Sequence, residues 1–260
     1  MDEENKITIF HLYRKNGSSL FLHPFNSSEK LIEILEKYNV EGKYGREPRV
    51  ESLTLFRNEL YRMIEESVKR WVAEIRFIPK FLISSATFLI SYLLLSLTVR
   101  DPMPMLDEIA ISLGAAVFIY IYIGKRDKRS NISVKKRMEL RNKVDSIVFF
   151  DSNFVKKVEE LLHLNESESR EKVLEYMLSP PDASISKEEE KDALQLLGYL
   201  KKQFNKREFR RQEKIFSRLY KKKVGNNNTK LFTLWPDPKK IDLSLFALYT
   251  RMKKNLEKVR

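Results

Sequence analysis

FLISSATFLISYLLLSLTV occupies residues 81–99 and IAISLGAAVFIYIYIG residues 109–124, with nine residues between them. Neither run holds a charged side chain. At about 1.5 Å of rise per residue, the first covers about 28 Å as a helix and the second about 24 Å, against a hydrocarbon core of roughly 30 Å. The first run is therefore expected to span a bilayer outright. The second is short, and tight packing against its neighbour or local thinning of the bilayer would accommodate it. The link contains Pro102 and Pro104 and is short enough to force the two helices antiparallel.

Flanking charge sets the expected orientation. Lys69, Arg70, Arg76 and Lys80 precede the first run, and Lys125, Arg126, Lys128, Arg129, Lys135, Lys136 and Arg137 follow the second. The link offers Arg100 against Asp101, Asp107 and Glu108. Because basic residues stay on the cytoplasmic side, both termini are expected there, with the chain integral to a bacterial cytoplasmic membrane. Lys69, Arg70, Trp71, Arg76, Lys80, Lys125, Arg126, Lys128 and Arg129 form the expected membrane-interface and lipid-contact set, and Tyr120 and Tyr122 add aromatics on the same side. The opening Met-Asp-Glu-Glu-Asn has no basic flank or apolar run of a cleavable signal, so the two runs themselves are expected to direct insertion.

Small and hydroxyl residues recur within the runs. Ser84, Thr87, Ser91 and Thr98 share one helical face; Ala110 and Gly114, and Ser112 and Ala116, are each four apart. Close packing of the hairpin through small residues, with the hydroxyls bonded to their own backbone, is the simpler expectation. A hydroxyl-lined pore made by several copies, with Asp101, Asp107 and Glu108 at its mouth, is the alternative.

Outward from the hairpin the chain changes character twice. Residues 1–76 read as a small α+β region: Ile7 to Tyr13 and Leu20 to Leu22 as strands around a turn at Gly17, then a helix from a capping signal at Asn26 and Glu29 to about Gly42. Leu53, Phe56, Leu60, Ile64, Val68, Trp71 and Ile75 follow at spacings of three and four, one face of an amphipathic helix about six turns long. Residues 77–125 are the hairpin. Residues 126–260 carry 33 basic and 20 acidic side chains, and so hold the whole +13 excess of the 260-residue chain. They read as mostly helical, with a capping box at Ser186 and Glu189 ahead of one long helix through about Lys223.

The second half of that helix is a basic amphipathic segment. Its cations are Lys206, Arg207, Arg210, Arg211, Lys214, Arg218, Lys221, Lys222 and Lys223, around Phe209, Ile215, Phe216, Leu219 and Tyr220. A solvated face, anionic lipid headgroups and, behind these, nucleic acid are the candidate uses. The tail reads as a short segment, Leu231 to Trp235, and a last helix with Leu243, Phe246, Tyr249 and Leu256 on one face.

Much chemistry lacks a sequence basis. No cysteine excludes disulfides, thiolate catalysis and Cys-ligated metal. Seven glycines form neither a Walker loop nor a dinucleotide fingerprint, and three histidines make no HExxH. His11 and His23 face each other across the first turn without a third ligand, so metal is not expected; His163 reads as a hydrogen-bonded helix residue rather than a base. No cofactor and no enzyme activity are expected.

The fold class is thus a mainly α membrane protein: a two-helix transmembrane hairpin, a small α+β N-terminal cytoplasmic region and a mostly helical C-terminal cytoplasmic region. The expected role is a tether, scaffold or assembly subunit, with anionic lipid and a protein partner or second copy as ligands. A channel or transport component is the alternative, and membrane-attached nucleic-acid binding a third.

Overall fold

The computed structural model describes residues 6–25, 28–98, 105–179, 186–221 and 241–259. Most of the chain is helical, with a small α+β region near its N-terminus. Two compact units emerge, neither contiguous in sequence. One holds residues 1–26, 37–56 and 147–260, the other 27–36 and 57–146.

The first unit is built on a four-stranded mixed sheet. Strands β1 (Lys6–Tyr13) and β2 (Ser19–Leu22) pair antiparallel around a turn in which Gly17 takes φ +77°, a left-handed conformation that favours glycine. Strand β3 (Asn39–Tyr44) lies parallel to β1, and β4 (Phe149–Asp151) parallel to β3, giving the order β2-β1-β3-β4. A helix continuing to Gly42 is therefore not found. Helix α1 (Ser28–Lys37) stops five residues earlier, because pairing with β1 gives residues 39–44 a ladder that local propensity does not reveal. The capping signal at Asn26 falls outside the described residues.

The chain leaves this sheet after Tyr44 and returns at Phe149 on the neighbouring parallel strand. Everything between is one crossover connection, and it contains α2 (Val50–Ile75), α3 (Phe77–Thr98), α4 (Met105–Asp127) and α5 (Asn131–Asp145). The two apolar runs thus sit inside a β-to-β crossover.

From Thr8 to Tyr13 every residue of β1 is buried, as befits a central strand covered on both faces. On one face Phe10, Leu12 and Leu22 join a core with α6 (Asn153–Ser167), α7 (Arg170–Leu178), α8 (Lys187–Lys202), α9 (Lys206–Lys221) and α10 (Leu243–Val259). Phe10 meets Phe154 and Tyr199, while Phe209 meets Phe246 and Tyr249 at ring separations of 6.0 and 5.0 Å. On the other face Phe21 stacks on Phe56, which lies in the first turns of α2. Beyond the end of β2, Gln195 of α8 takes the place of a strand: its Oε1 accepts from Thr8 N at 2.9 Å and its Nε2 donates to the Lys6 carbonyl at 3.0 Å.

The capping box at Ser186 and Glu189 forms with both hydrogen bonds. The single long helix expected beyond it is instead two. Helix α8 ends at Lys202, and Asn205 starts α9, its Oδ1 accepting from Arg207 N at 3.0 Å. The break lets Phe204 stack on Phe209 and meet Phe246 edge-on, contacts that one straight helix would not bring together.

Two glycines of this unit sit where a side chain has no room. A Cβ on Gly42 would collide with the Phe149 ring, and one on Gly45 would lie 2.9 Å from backbone atoms of Lys156. Gly198, on the exposed side of α8, has open space instead. Gly42→Val is expected to destabilise the protein by about 1–3 kcal/mol through overpacking, whereas Gly198→Ala is expected to be neutral or stabilising by up to about 1 kcal/mol. Urea unfolding followed by circular dichroism reads both, and equal effects would contradict the assigned packing.

The second unit is helical apart from its turns throughout its described residues, with α2 and α5 packed antiparallel. Along α2 the residues Leu60, Ile64 and Val68 are buried, as the spacing requires, but at its end Val72 is buried while Trp71 is half-buried and Ile75 exposed; Leu140 and Val144 supply the facing stripe of α5. Charged contacts fix the register: Tyr61 bonds Asp145, Glu65 bridges Arg137 and Arg141, and Lys136 lies over the Trp71 ring at 5.7 Å. Helix α1 is held to α5 by Lys136 with Glu36, and by Lys143 donating to the Leu35 carbonyl at 2.9 Å. Helical hydrogen bonds continue across Arg76, so α2 runs almost directly into α3, with Pro79 in the first turn, where a missing N–H costs least. From α4 the chain passes to α5 through a tight turn capped by Ser130.

Candidate functional site

Helices α3 and α4 are long and apolar enough to cross a membrane, and they lie against each other. Within their most apolar windows only 6 % of the first and 17 % of the second is buried. Leu82, Ile90, Leu94, Leu97, Ile111 and Phe118 are each at least 59 % exposed. The helices of this pair therefore bury a narrow seam and leave their remaining circumference apolar and uncovered. The core helices of the sheet unit do the reverse.

The seam is made of small and polar residues. Ser84 is buried on α3, and Glu108, Ser112 and Ala116 are buried one turn apart on α4. Ser91 is half-buried, and Thr87 and Thr98 donate to the carbonyls of Ile83 and Leu94, four residues back. Ala110 and Gly114, grouped with this seam on spacing alone, face outward on the opposite side of α4; a half-turn offset from Ser112 puts them there. By the extent of the uncharged runs Glu108 belongs to the link. Helix α4 begins earlier, at Met105, which carries its side chain onto the seam. Among the described residues, no hydrogen-bond partner meets Ser84 Oγ, Ser112 Oγ or Glu108 Oε1.

At the other end of the pair stands the basic girdle, which the structure divides into three. Lys69 and Arg70 are exposed on α2. Lys80 folds across to α4, its ammonium 3.6 Å from the Tyr120 ring centre and so close to Gly124 that a Cβ there would lie 2.7 Å from it. Arg76, Lys125, Arg126, Lys128 and Arg129 line one cleft of about 1060 Å³ with Ile83, Tyr122, Ile123, Asp127, Ser130 and Asn131. The turn that ends α4 and caps α5 gathers these cations, an arrangement that helical periodicity alone does not show.

In the sheet unit, α9 turns Lys206, Arg207, Arg210, Arg211, Lys214 and Arg218 to solvent while Phe209, Gln212 and Phe216 are buried. Arg210, Lys214, Arg218 and Lys253 border an open groove in which Glu213 already holds Lys253 at 2.8 Å. Lys221 closes the helix, and Lys222 and Lys223 lie outside the described residues, as does the segment from Leu231 to Trp235.

The histidines have structural surroundings. His163 Nε2 donates to the Tyr13 carbonyl at 2.9 Å, as a hydrogen-bonded helix residue should. His11 is fully buried between Tyr13 and Phe21, at ring separations of 4.6 and 4.7 Å, and burial lowers its pKa to about 4 against a weaker pull from the Arg46 backbone. His23 is also lowered to about 4, by burial and then by the charge of Lys202, and its Nδ1 accepts from Phe25 N. Among the described residues no group of three metal-ligating side chains converges.

No family model matches the chain, and no curated protein or solved structure is significantly similar to it.

Proposed function

We propose that the protein is a two-span membrane protein that acts as a cytoplasm-facing tether or assembly subunit for other proteins, with its basic girdle on anionic headgroups. The supporting observation is the α3–α4 pair: its apolar circumference is almost wholly exposed, and a soluble protein rarely leaves so large an apolar surface uncovered. In lipid that surface is solvated by acyl chains. The crossover topology suits the role, because the two-span insert is joined through α2 and α5 to neighbouring strands of one sheet, so the sheet unit is tied to the insert at two points.

Since the chain has no cysteine, single introduced thiols report topology without background. In sealed inverted vesicles, Lys15→Cys and Ser217→Cys are expected to react with an impermeant maleimide, and Met103→Cys only after the vesicles are opened. Recovery of the untreated protein in a surfactant-free soluble fraction, or labelling of Lys15→Cys and Ser217→Cys from opposite faces, would overturn the membrane reading. A strictly solitary monomer after mild extraction, turning over a small molecule, would overturn the assembly reading.

A second reading, an oligomeric transport component, draws on the partnerless seam groups Ser84, Ser112 and Glu108. It requires ion flux in liposomes that Ser91→Leu abolishes, and absence of flux removes it.

A further inference from the structure

We infer that the cleft lined by Arg76, Lys125, Arg126, Lys128 and Arg129 is a binding site for one anionic phospholipid. Its phosphate would sit at the turn between α4 and α5, and its acyl chains along Ile83 and Ile123. This inference rests on the membrane reading above and adds to it a defined site and ligand class.

Position is the first argument. The cleft lies where the uncharged stretch of α4 ends: Tyr122 and Ile123 belong to the apolar helix, and Lys125 to Arg129 follow at once. Ile83, near the start of the apolar run of α3, supplies the facing wall, while Arg76 stands one turn before that run. A single cavity therefore has apolar residues toward the expected acyl region and cations toward the headgroup region, the order of groups along a phospholipid.

Charge is the second. Five cationic side chains meet one carboxylate, Asp127, so the cleft carries a large uncompensated positive charge. Three cations of α5 are by contrast paired with carboxylates: Arg137 and Arg141 share Glu65, and Lys136 has Glu36 and Glu139. Lys80 is committed to the face of Tyr120.

Backbone dipoles are the third. Ser130 and Asn131, the N-cap and first residue of the fifteen-residue α5, line the same cleft, so a helix N-terminus borders the anion's place. Ser130 Oγ is already occupied by Ser133 N, which leaves neighbouring first-turn amides for the ligand. At about 1060 Å³ the cleft exceeds what a bare phosphate fills, and it suits a glycerophosphate headgroup with the first carbons of its chains.

The test uses the full-length protein in nanodiscs of phosphatidylcholine containing a minority of phosphatidylglycerol, with co-purified lipid quantified by mass spectrometry after detergent exchange. The wild type is expected to retain phosphatidylglycerol well above its bulk fraction. Arg126→Gln and Arg129→Gln are each expected to lower that affinity about fivefold, the effect of one cation near an anionic surface. Lys214→Gln and Arg218→Gln, which remove the same charge from α9, are expected to leave it unchanged. Equal losses from both pairs would show non-specific charge attraction and overturn the site. Displacement of the lipid by inorganic phosphate at equal concentration would show a free-anion site and also overturn the proposal. Wild-type protein that is membrane-integrated yet carries lipid in bulk proportion refutes the site alone; protein that never integrates refutes the membrane reading instead.

Discussion

Arg251→Met is expected to lower the free energy of unfolding by about 1–3 kcal/mol, the range for losing charge-assisted hydrogen bonds to buried acceptors. Arg251 is 1 % exposed, among the largest fully buried side chains of the protein. Its guanidinium donates from Nη1 to the carbonyls of Tyr176 and Ser179, at 3.2 and 2.9 Å, and to Ser179 Oγ at 2.9 Å, while lying 4.4 Å from the Tyr176 ring centre. One turn on, Lys254 donates to the Met177 carbonyl at 2.5 Å. These acceptors are carbonyls of the last turn of α7 and of its C-cap Ser179, at the negative end of the helix dipole, and that of Tyr176 also accepts from Ser179 N and Oγ. Two cations of α10 therefore close the C-terminus of α7 inside the core. Methionine fills much of the arginine's volume but removes the charged donor that the Ser179 carbonyl and hydroxyl and the Tyr176 carbonyl share. Arg251→Lys, keeping the charge without the planar fork, is expected to fall between the two. Urea unfolding is the measurement, with Lys214→Met on the exposed face of α9 as the control expected within about 0.5 kcal/mol of wild type. A loss below 1 kcal/mol for Arg251→Met would refute the capping role.

Acid is expected to weaken the sheet unit in a window set by its buried histidines. His11 is held near pKa 4 in the folded protein, against about 6.5 when exposed in the unfolded chain. Above pH 6.5 neither state binds the proton and stability is unaffected. As the pH falls from 6.5 toward 4 the unfolded chain takes up the proton and the folded protein does not, so stability declines. Below 4 the loss levels off at about 3 kcal/mol, on the scale of roughly 1.4 kcal/mol per tenfold difference in proton affinity. His23 titrates in the same direction. Carboxylates lose stability over part of this range as well, so the contribution of His11 is read as the difference between wild type and His11→Phe, whose ring suits the gap between Tyr13 and Phe21. The variant is expected to show a shallower fall in melting temperature between pH 6.5 and 4; parallel curves for the two proteins would refute the assignment.

Legibility varied with the range of the interaction that fixes each element. The stripe on α2 could be read from spacing, because one helical face repeats every three or four residues whatever packs against it. The capping box at Ser186 and Glu189 could be read for the same reason: both of its hydrogen bonds close within four residues. Strands β3 and β4 could not. Residues 39–44 are a strand because β1 lies beside them, and Phe149 to Asp151 because β3 does, across a gap in sequence of more than a hundred residues. The break between α8 and α9 has a local signal, Asn205 with Glu208 three residues on, but the apolar stripe runs on past it, and what the break serves, Phe204 against Phe209 and Phe246, is decided by packing. At the candidate site the sequence supplied the cations but not their grouping. Nothing in periodicity joins Arg76 to the turn at Lys128, or separates Lys80 from both.

What the amino-acid sequence determined by itself is the pair of uncharged runs, their antiparallel relation and the excess of positive charge on one side of them, because length, link and charge are local and additive properties. What only the tertiary structure decided is that this pair interrupts a sheet between two parallel strands, that α10 supplies the cations closing α7, and that five basic residues share one cleft. Those arrangements depend on contacts between residues far apart in the chain, whose cost in chain entropy is met only when the whole core forms.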